Sequence, residues 1–319
     1  MKDWVTITDV GPRDGLQSQK SYVSTDGKLR MIQALYAAGL HSIEATSFVS
    51  PKAVPQMSDA DALLPLVSVP AGARLSALVP NLRGLERARA AGATEIAVVL
   101  AVTDTMNRKN IGMDLVNASA TCKSTLEQAR RWGMTGRAYL AVAFECPFEG
   151  LTPPERVLEF ARQMQEAGAT EIVVADTIGA ASPAQVKTLL YLLLQHLDAA
   201  RLGMHFHDTR GMGLANAWAA MELGIRRYDA SIGGLGGCPF APGAAGNLAT
   251  EDLALMAAQC GLRTGIDLGR LCDAVDLAQE LVSYPIGGGS AHWLRTRVSG
   301  GRDREIPASA LVQSLNGGD

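Results

Sequence analysis

A (β/α)8 TIM barrel is the fold this sequence predicts, on three observations. Eight short apolar runs rich in β-branched residues recur near residues 4–10, 42–48, 74–80, 95–102, 137–144, 171–177, 202–208 and 227–234. Runs such as Ile96-Ala-Val-Val-Leu-Ala-Val102 are apolar nearly throughout instead of alternating, the pattern of parallel strands covered on both faces. A weak repeat punctuates them: Ala38-Gly-Leu-His-Ser-Ile43, Ala91-Gly-Ala-Thr-Glu-Ile96, Ala167-Gly-Ala-Thr-Glu-Ile172 and Leu223-Gly-Ile-Arg-Arg-Tyr228 share one plan. Each places Gly where a helical pattern stops and an extended run begins, and Gly relieves the left-handed strain of a helix end. Eight such units over about 230 residues suit a closed barrel. A doubly wound sheet is the structural alternative, but no G-x-G-x-x-G follows the first run.

Taken in order, the first strand Trp4-Val-Thr-Ile-Thr8 leads into Asp9-Val-Gly-Pro-Arg-Asp-Gly-Leu-Gln17, a Gly- and Pro-rich turn with a guanidinium beside a carboxylate. Helical periodicity is clear from Thr25 to Ala38 and from Pro154 to Ala167. Beyond the eighth strand, Thr250 to Cys260 and Leu268 to Ser283 predict two further helices, a C-terminal helical extension on the barrel. Residues 1–285 are therefore expected to form the barrel with its added helices. Residues 286–319 are expected to form a polar, Arg-rich tail, mobile or in contact with another subunit.

Composition excludes several classes. A chain of 319 residues with 47% hydrophobic and 19% charged residues can bury a large core. The net charge of −3, without a basic cluster before the last 30 or so residues, gives no footprint for nucleic acid. Apolar stretches such as Leu189-Leu-Tyr-Leu-Leu-Leu194 are too short to span a bilayer, so no membrane role is expected. Five Cys residues (122, 146, 238, 260 and 272) form no C-x-x-C pair, which fits reduced thiols. With no signal or lipidation pattern at either end, a cytoplasmic location is expected.

On a barrel, chemistry belongs at the C-terminal ends of the strands. In Met204-His-Phe-His-Asp208 two imidazoles stand two residues apart on a strand and face the same way, half of a metal site. Asp14, one strand beyond the eighth, is placed to add a carboxylate, and Asn247 in the Gly-rich loop Gly243-Ala-Ala-Gly-Asn247 to add an amide oxygen. Asp14, His205, His207 and Asn247, with no thiolate, suit a divalent cation such as Mg²⁺ or Mn²⁺ better than structural zinc. Glu44 and Asp176 interrupt apolar runs, where a carboxylate needs Arg13, a metal, substrate or a backbone amide as partner. Cys238 lies in Gly233-Gly-Leu-Gly-Gly-Cys-Pro-Phe-Ala-Pro-Gly243, a loop able to approach a ligand and move; its thiol is open to a role as nucleophile, proton donor or neither.

Five segments together carry a family resemblance. Gly11-Pro-Arg-Asp-Gly-Leu-Gln17, Glu44-Ala-Thr-Ser-Phe-Val-Ser-Pro-Lys52, Asp176-Thr-Ile-Gly179, His205-Phe-His-Asp208 and Gly236-Gly-Cys-Pro-Phe-Ala-Pro-Gly-Ala-Ala-Gly-Asn247 resemble the 3-hydroxy-3-methylglutaryl-CoA lyase family, metal-dependent lyases on TIM barrels. The resemblance implies retro-Claisen cleavage of an acyl-CoA thioester, 3-hydroxy-3-methylglutaryl-CoA, to acetyl-CoA and acetoacetate. It implies that Asp14, His205, His207 and Asn247 hold the metal and that Arg13 stabilises the enolate. Cys238 would protonate the acetyl-CoA carbanion, while Glu44 and Asp176 orient Arg13 and assist removal of the hydroxyl proton. Gln17, Lys20, Ser47 and Asn110 match positions near substrate. Thr103-Asp-Thr-Met-Asn-Arg-Lys-Asn-Ile-Gly-Met113 and Ala141-Val-Ala-Phe-Glu145 depart from the family pattern, so citramalyl-CoA or a longer 3-hydroxy-3-alkylglutaryl-CoA stands as an alternative substrate. A metal-dependent hydrolase is the more distant alternative. The family's animal leaders are absent, as in a bacterial cytoplasmic form, and a homodimer or higher homo-oligomer is expected.

Overall fold

The computed structural model describes residues 3–237 and 246–299. Eight parallel strands close into a barrel: β1 (Thr6–Asp9), β2 (Ser42–Ser47), β3 (Arg74–Leu78), β4 (Glu95–Ala101), β5 (Thr135–Ala141), β8 (Glu171–Asp176), β9 (Leu202–Phe206) and β10 (Arg227–Ala230). A short antiparallel hairpin, β6 (Glu145–Cys146) with β7 (Gly150–Leu151), interrupts the series after β5. Each barrel strand overlaps one of the eight predicted runs. The closing contact is β1 on β10, with Thr6 beside Arg227 and Asp9 beside Ala230, and β10 pairs in turn with β9. The first strand is thus two strands from the one bearing His205, as the sequence order requires of a closed barrel.

The glycines of the weak repeat do what their position predicts. Gly39, Gly92, Gly168 and Gly224 all take positive φ, between 87° and 112°, just after a helix ends. There an L-residue would press its Cβ against the following carbonyl. Helix starts are as explicit. Helix α6 (Pro154–Glu166) opens with Pro at its first position. Helix α7 (Pro183–Leu194) opens with a capping box in which Ser182 and Gln185 satisfy one another's backbone amides.

Two strand ends stop short of their apolar runs. The fifth run stops pairing at Ala141 because Val142 turns to φ 52°, a conformation that costs a β-branched residue. Thr177 and Thr152 hold it there: the Thr177 hydroxyl accepts from Val142 N, and the Thr152 hydroxyl donates to Val142 O. The eighth run ends at Ala230, and Ile232–Gly234 form a short 3-10 turn in which Gly233 has φ 62°.

Helices α9 (Thr250–Gln259) and α10 (Leu268–Val282) form the expected extension. The segment read as a polar tail also carries a helix, α11 (Ala291–Ser299), whose Ala291 and Leu294 are buried one turn apart and whose Arg295 pairs with Asp276 of α10 at 2.6 Å. Ala291 and Leu294 are enough to dock one turn, but the segment's few apolar residues among arginines do not register as periodicity. No described helix is long and apolar enough to cross a membrane.

Candidate active site

The turn after β1 is a single π-helical turn, Gly11–Gly15. Its shape follows from two acceptors. The Val10 carbonyl takes the amides of Arg13, Asp14 and Gly15, and the buried Asp9 carboxylate takes the Gly11 amide at 2.8 Å and the Thr250 hydroxyl at 2.7 Å. Burial pushes the Asp9 carboxyl up to about 7 despite those hydrogen bonds. This turn aims Arg13 and Asp14 into the barrel mouth.

Arg13 is 5% exposed, which a guanidinium tolerates only when paired. Its Nε donates to Glu44 Oε1 and its Nη1 to Asp14 Oδ1 at 2.6 Å. The two carboxylates outweigh burial and hold the guanidinium above its ordinary range, so it is a fixed cation. Glu44, fully buried on β2, also accepts from the Tyr139 hydroxyl at 3.2 Å. Glu44 therefore orients Arg13.

Asp14, His205 and His207 present their ligand atoms within 4.8 Å of one another. Asn247 reaches the same point: its Nδ2 donates to Asp14 Oδ2 at 2.8 Å and to the Leu235 carbonyl at 3.0 Å, and its backbone bridges to His207. The predicted four metal positions are thus brought together by residues 233 positions apart. Among the described residues, both Asn247 Oδ1 and His207 Nδ1 are buried without a hydrogen-bond partner, a costly arrangement unless a cation takes them up. One carboxylate, one amide oxygen and two imidazoles fit a divalent cation. Asp14 resists protonation: Arg13 and both histidines outweigh its burial and hold it below the usual carboxylate range. Burial and the neighbouring His205 push His207 down to about 4, whereas Asp229 outweighs burial and raises His205.

Gly236 approaches Asn247 so closely that a Cβ there would meet Asn247 Nδ2 at 2.4 Å, and its φ is +124°. Gly236→Ala is therefore expected to push the Asn247 amide off Asp14. Mn²⁺ affinity measured by titration calorimetry should fall about 10-fold or more, a loss typical of disturbed ligand support, together with a lower melting temperature from the strained backbone.

The other predicted residues differ in burial. Among the described residues, Ser47 is buried with an unpartnered hydroxyl, and Gln17 is half-buried with an unpartnered amide oxygen. Lys20 and Asn110 are exposed, Asn110 near the end of helix α4 (Asp104–Ile111). Asp176 ends β8, and both its oxygens accept backbone amides, Ala180 at 2.8 Å and Ala181 at 3.0 Å. Its described contacts do not include Arg13, so of the two carboxylates expected to orient that guanidinium only Glu44 touches it. Burial outweighs the amides and raises the Asp176 carboxyl to about 6. Cys238 lies outside the described residues.

Sequence reasoning missed the floor of the site. Arg137 and Tyr139 on β5 and Asp229 on β10 are buried polar residues linking Glu44 to His205. The Tyr139 hydroxyl meets Glu44, Arg137 Nη1 donates to Tyr139 at 3.0 Å, Arg137 Nη2 donates to Asp229 at 2.7 Å, and Asp229 faces His205 Nδ1 at 3.2 Å. The available signal was Arg137 and Tyr139 at spacing two in the fifth run, which puts both on one face.

Comparison with known proteins converges on one group. The HMGL-like family model matches residues 4–278. The chain is 42% identical to the hydroxymethylglutaryl-CoA lyase of Bacillus subtilis over 282 residues, 88% of this chain and 94% of that protein. A crystal structure of the Bacillus subtilis HMG-CoA lyase superposes with TM-score 0.89 at 41% identity, covering 92% of this chain and 98% of the other. An Acinetobacter baumannii HMG-CoA lyase solved with coenzyme A and 3-methylmalate superposes at TM-score 0.88 and 37% identity, covering 96% and 98%.

Proposed function

The chain belongs to the HMGL-like family, and from that premise we propose that this carbon–carbon lyase cleaves 3-hydroxy-3-methylglutaryl-CoA to acetyl-CoA and acetoacetate. The observation that carries the reading is the meeting of Arg13 and the Asp14–His205–His207–Asn247 cluster on one rim. In this reaction the tertiary hydroxyl loses a proton, the electron pair left on its oxygen forms the ketone C=O, and the carbon–carbon bond breaks. The bond's electron pair passes to the thioester as an enolate, which a proton then quenches.

Asp14, His205, His207 and Asn247 would hold a divalent cation, Mg²⁺ or Mn²⁺. When bound it supplies Lewis-acid polarisation of the hydroxyl and a template for the substrate's oxygens. Arg13, locked by Glu44 on one side and Asp14 on the other, offers its remaining guanidinium hydrogens to the thioester oxygen where negative charge develops. Since the guanidinium is already oriented and desolvated, little reorganisation accompanies that charge. Asp176 is the candidate acceptor of the hydroxyl proton: with its carboxyl near 6 it is ionised at neutral pH yet more basic than an exposed carboxylate. Cys238, in the glycine-rich stretch of the sequence, is the candidate donor to the enolate carbon. Gln17, Lys20, Ser47 and Asn110 are the candidate contacts for the acyl and CoA portions.

Cleavage of a panel of 3-hydroxyacyl-CoA thioesters, followed by acetyl-CoA and keto-acid release with and without chelator, tests the function. Turnover that survives complete metal removal overturns it. Cys238→Ser separates the lyase, which should lose most turnover, from a hydrolase, which should lose little. The panel's citramalyl and longer 3-alkyl members decide the acyl group, since the segments after β4 and β5 carry the departures from the family pattern.

A pH dependence follows. Asp176 must be ionised to take a proton, so kcat/KM should fall as pH drops through about 6. Asp176→Asn should abolish that limb together with most of the rate. A metal-saturated profile flat from pH 7 to pH 5 would remove Asp176 from this role.

A further inference from the structure

We infer that Asp229 is a positioning residue for the metal centre: it fixes the tautomer of His205 so that Nε2, and not Nδ1, faces the cation. The inference rests on the metal-dependent reading above. Asp229 is fully buried near the end of β10, with Oδ2 3.2 Å from His205 Nδ1. A carboxylate only accepts, so the shared hydrogen sits on Nδ1, and a neutral imidazole then carries its lone pair on Nε2.

Asp229 cannot swing away. Its other oxygen takes Arg137 Nη2 at 2.7 Å, and Arg137 is itself held by Glu171 through Nε at 3.1 Å and Nη2 at 2.9 Å. Tyr139, which also accepts from Arg137, sets its ring edge-on to His205, with centroids 6.0 Å apart and planes at 84°. The His205 ring is therefore held from two sides. Among the described residues His207 has no equivalent support, since its Nδ1 is buried with no partner there. The two imidazoles are not equivalent: His205 is set before a cation arrives, and His207 is set by the cation.

This differs from a plain core ion pair between Asp229 and Arg137 in what Asp229→Asn should do. The new amide would keep its oxygen on the Arg137 donor, because two donors facing each other repel. Its Nδ2–H would then point at His205 Nδ1, forcing the ring hydrogen onto Nε2, the tautomer that cannot ligate through that atom. A core ion pair would lose stability but leave cation affinity alone.

The test has two arms on the full chain. In the unaltered protein with ¹⁵N-labelled histidine, one of the five histidines should show a hydrogen on Nδ1 and a bare Nε2 above its titration. It is assigned to His205 by its absence in His205→Gln. Free Mn²⁺, followed by electron paramagnetic resonance without substrate, should bind Asp229→Asn about 10–100-fold more weakly than the unaltered protein, the usual cost of losing an outer-shell partner. An unaltered protein with the hydrogen on His205 Nε2, or a folded Asp229→Asn protein that binds Mn²⁺ within twofold of it, overturns the inference. If Asp229→Asn does not fold, the tautomer of the unaltered protein decides. If the unaltered protein binds no Mn²⁺, the metal reading itself fails, a result separable from the tautomer.

Discussion

Arg13→Lys is expected to lower kcat on 3-hydroxy-3-methylglutaryl-CoA by about 10²–10³-fold, the usual cost of removing a preorganised donor from a developing oxyanion. The Michaelis constant should change much less. Lysine retains the charge, so the argument concerns geometry. Arg13 uses its rigid fork to bind Glu44 through Nε and Asp14 through Nη1, and in the proposed reaction the same plane would present its remaining hydrogens to substrate. An ammonium on a flexible stem cannot hold both carboxylates and still offer a fixed donor. Truncation would be a poorer test: Glu44 is fully buried, and losing its cation leaves a charge whose isolation costs about 3–5 kcal/mol. With Lys in place the fold should persist, so a lost kcat with an intact circular dichroism spectrum reports on chemistry. If Arg13→Lys turns over within tenfold of the unaltered protein, Arg13 is not the enolate-stabilising group.

How this site was legible in the sequence depends on how far each signal is local. The eight strands stood out because burial on both faces leaves runs such as Ile96–Val102 nearly without polar residues. The junction glycines stood out because a left-handed helix end favours one residue type. His205 and His207 were visible as a pair because strand periodicity alone puts them on one side. Arg137, Tyr139 and Asp229 were not visible, because their partners come from distant strands: Tyr139 meets Glu44 across 95 residues, and Arg137 meets Asp229 across 92. Each looks like an isolated polar interruption until the barrel closes. That Asp176 does not meet Arg13 has a different origin: its amide partners lie only four and five residues on, and no sequence pattern distinguishes a carboxylate held by nearby backbone amides from one held by a guanidinium.

Asp14→Asn is the change with the second large expected effect, and it acts on both halves of the site at once. In the unaltered protein Asp14 Oδ1 takes Arg13 and Oδ2 takes the Asn247 amide, so one carboxylate joins the guanidinium proposed to stabilise the enolate to the proposed metal position. Asparagine keeps the volume but removes the charge, and its amide donors conflict with either Arg13 or Asn247. Outer-shell losses alone weaken metal binding by about 10–100-fold, and the removal of an anionic ligand should exceed that. Mn²⁺ affinity, read by paramagnetic resonance on the substrate-free protein, should therefore fall by more than about 100-fold on the same scale. Raising the cation concentration should restore only part of kcat, because Arg13 remains without its second anchor even when the metal returns. That residual defect separates two accounts of Asp14. If saturating Mn²⁺ restores kcat fully, Asp14 is a metal ligand and nothing more. If the defect persists at saturation, the adjacency of Arg13 and Asp14 is itself functional: the carboxylate that holds the cation near the hydroxyl also holds the guanidinium near the thioester, and the bond to be cleaved lies between them.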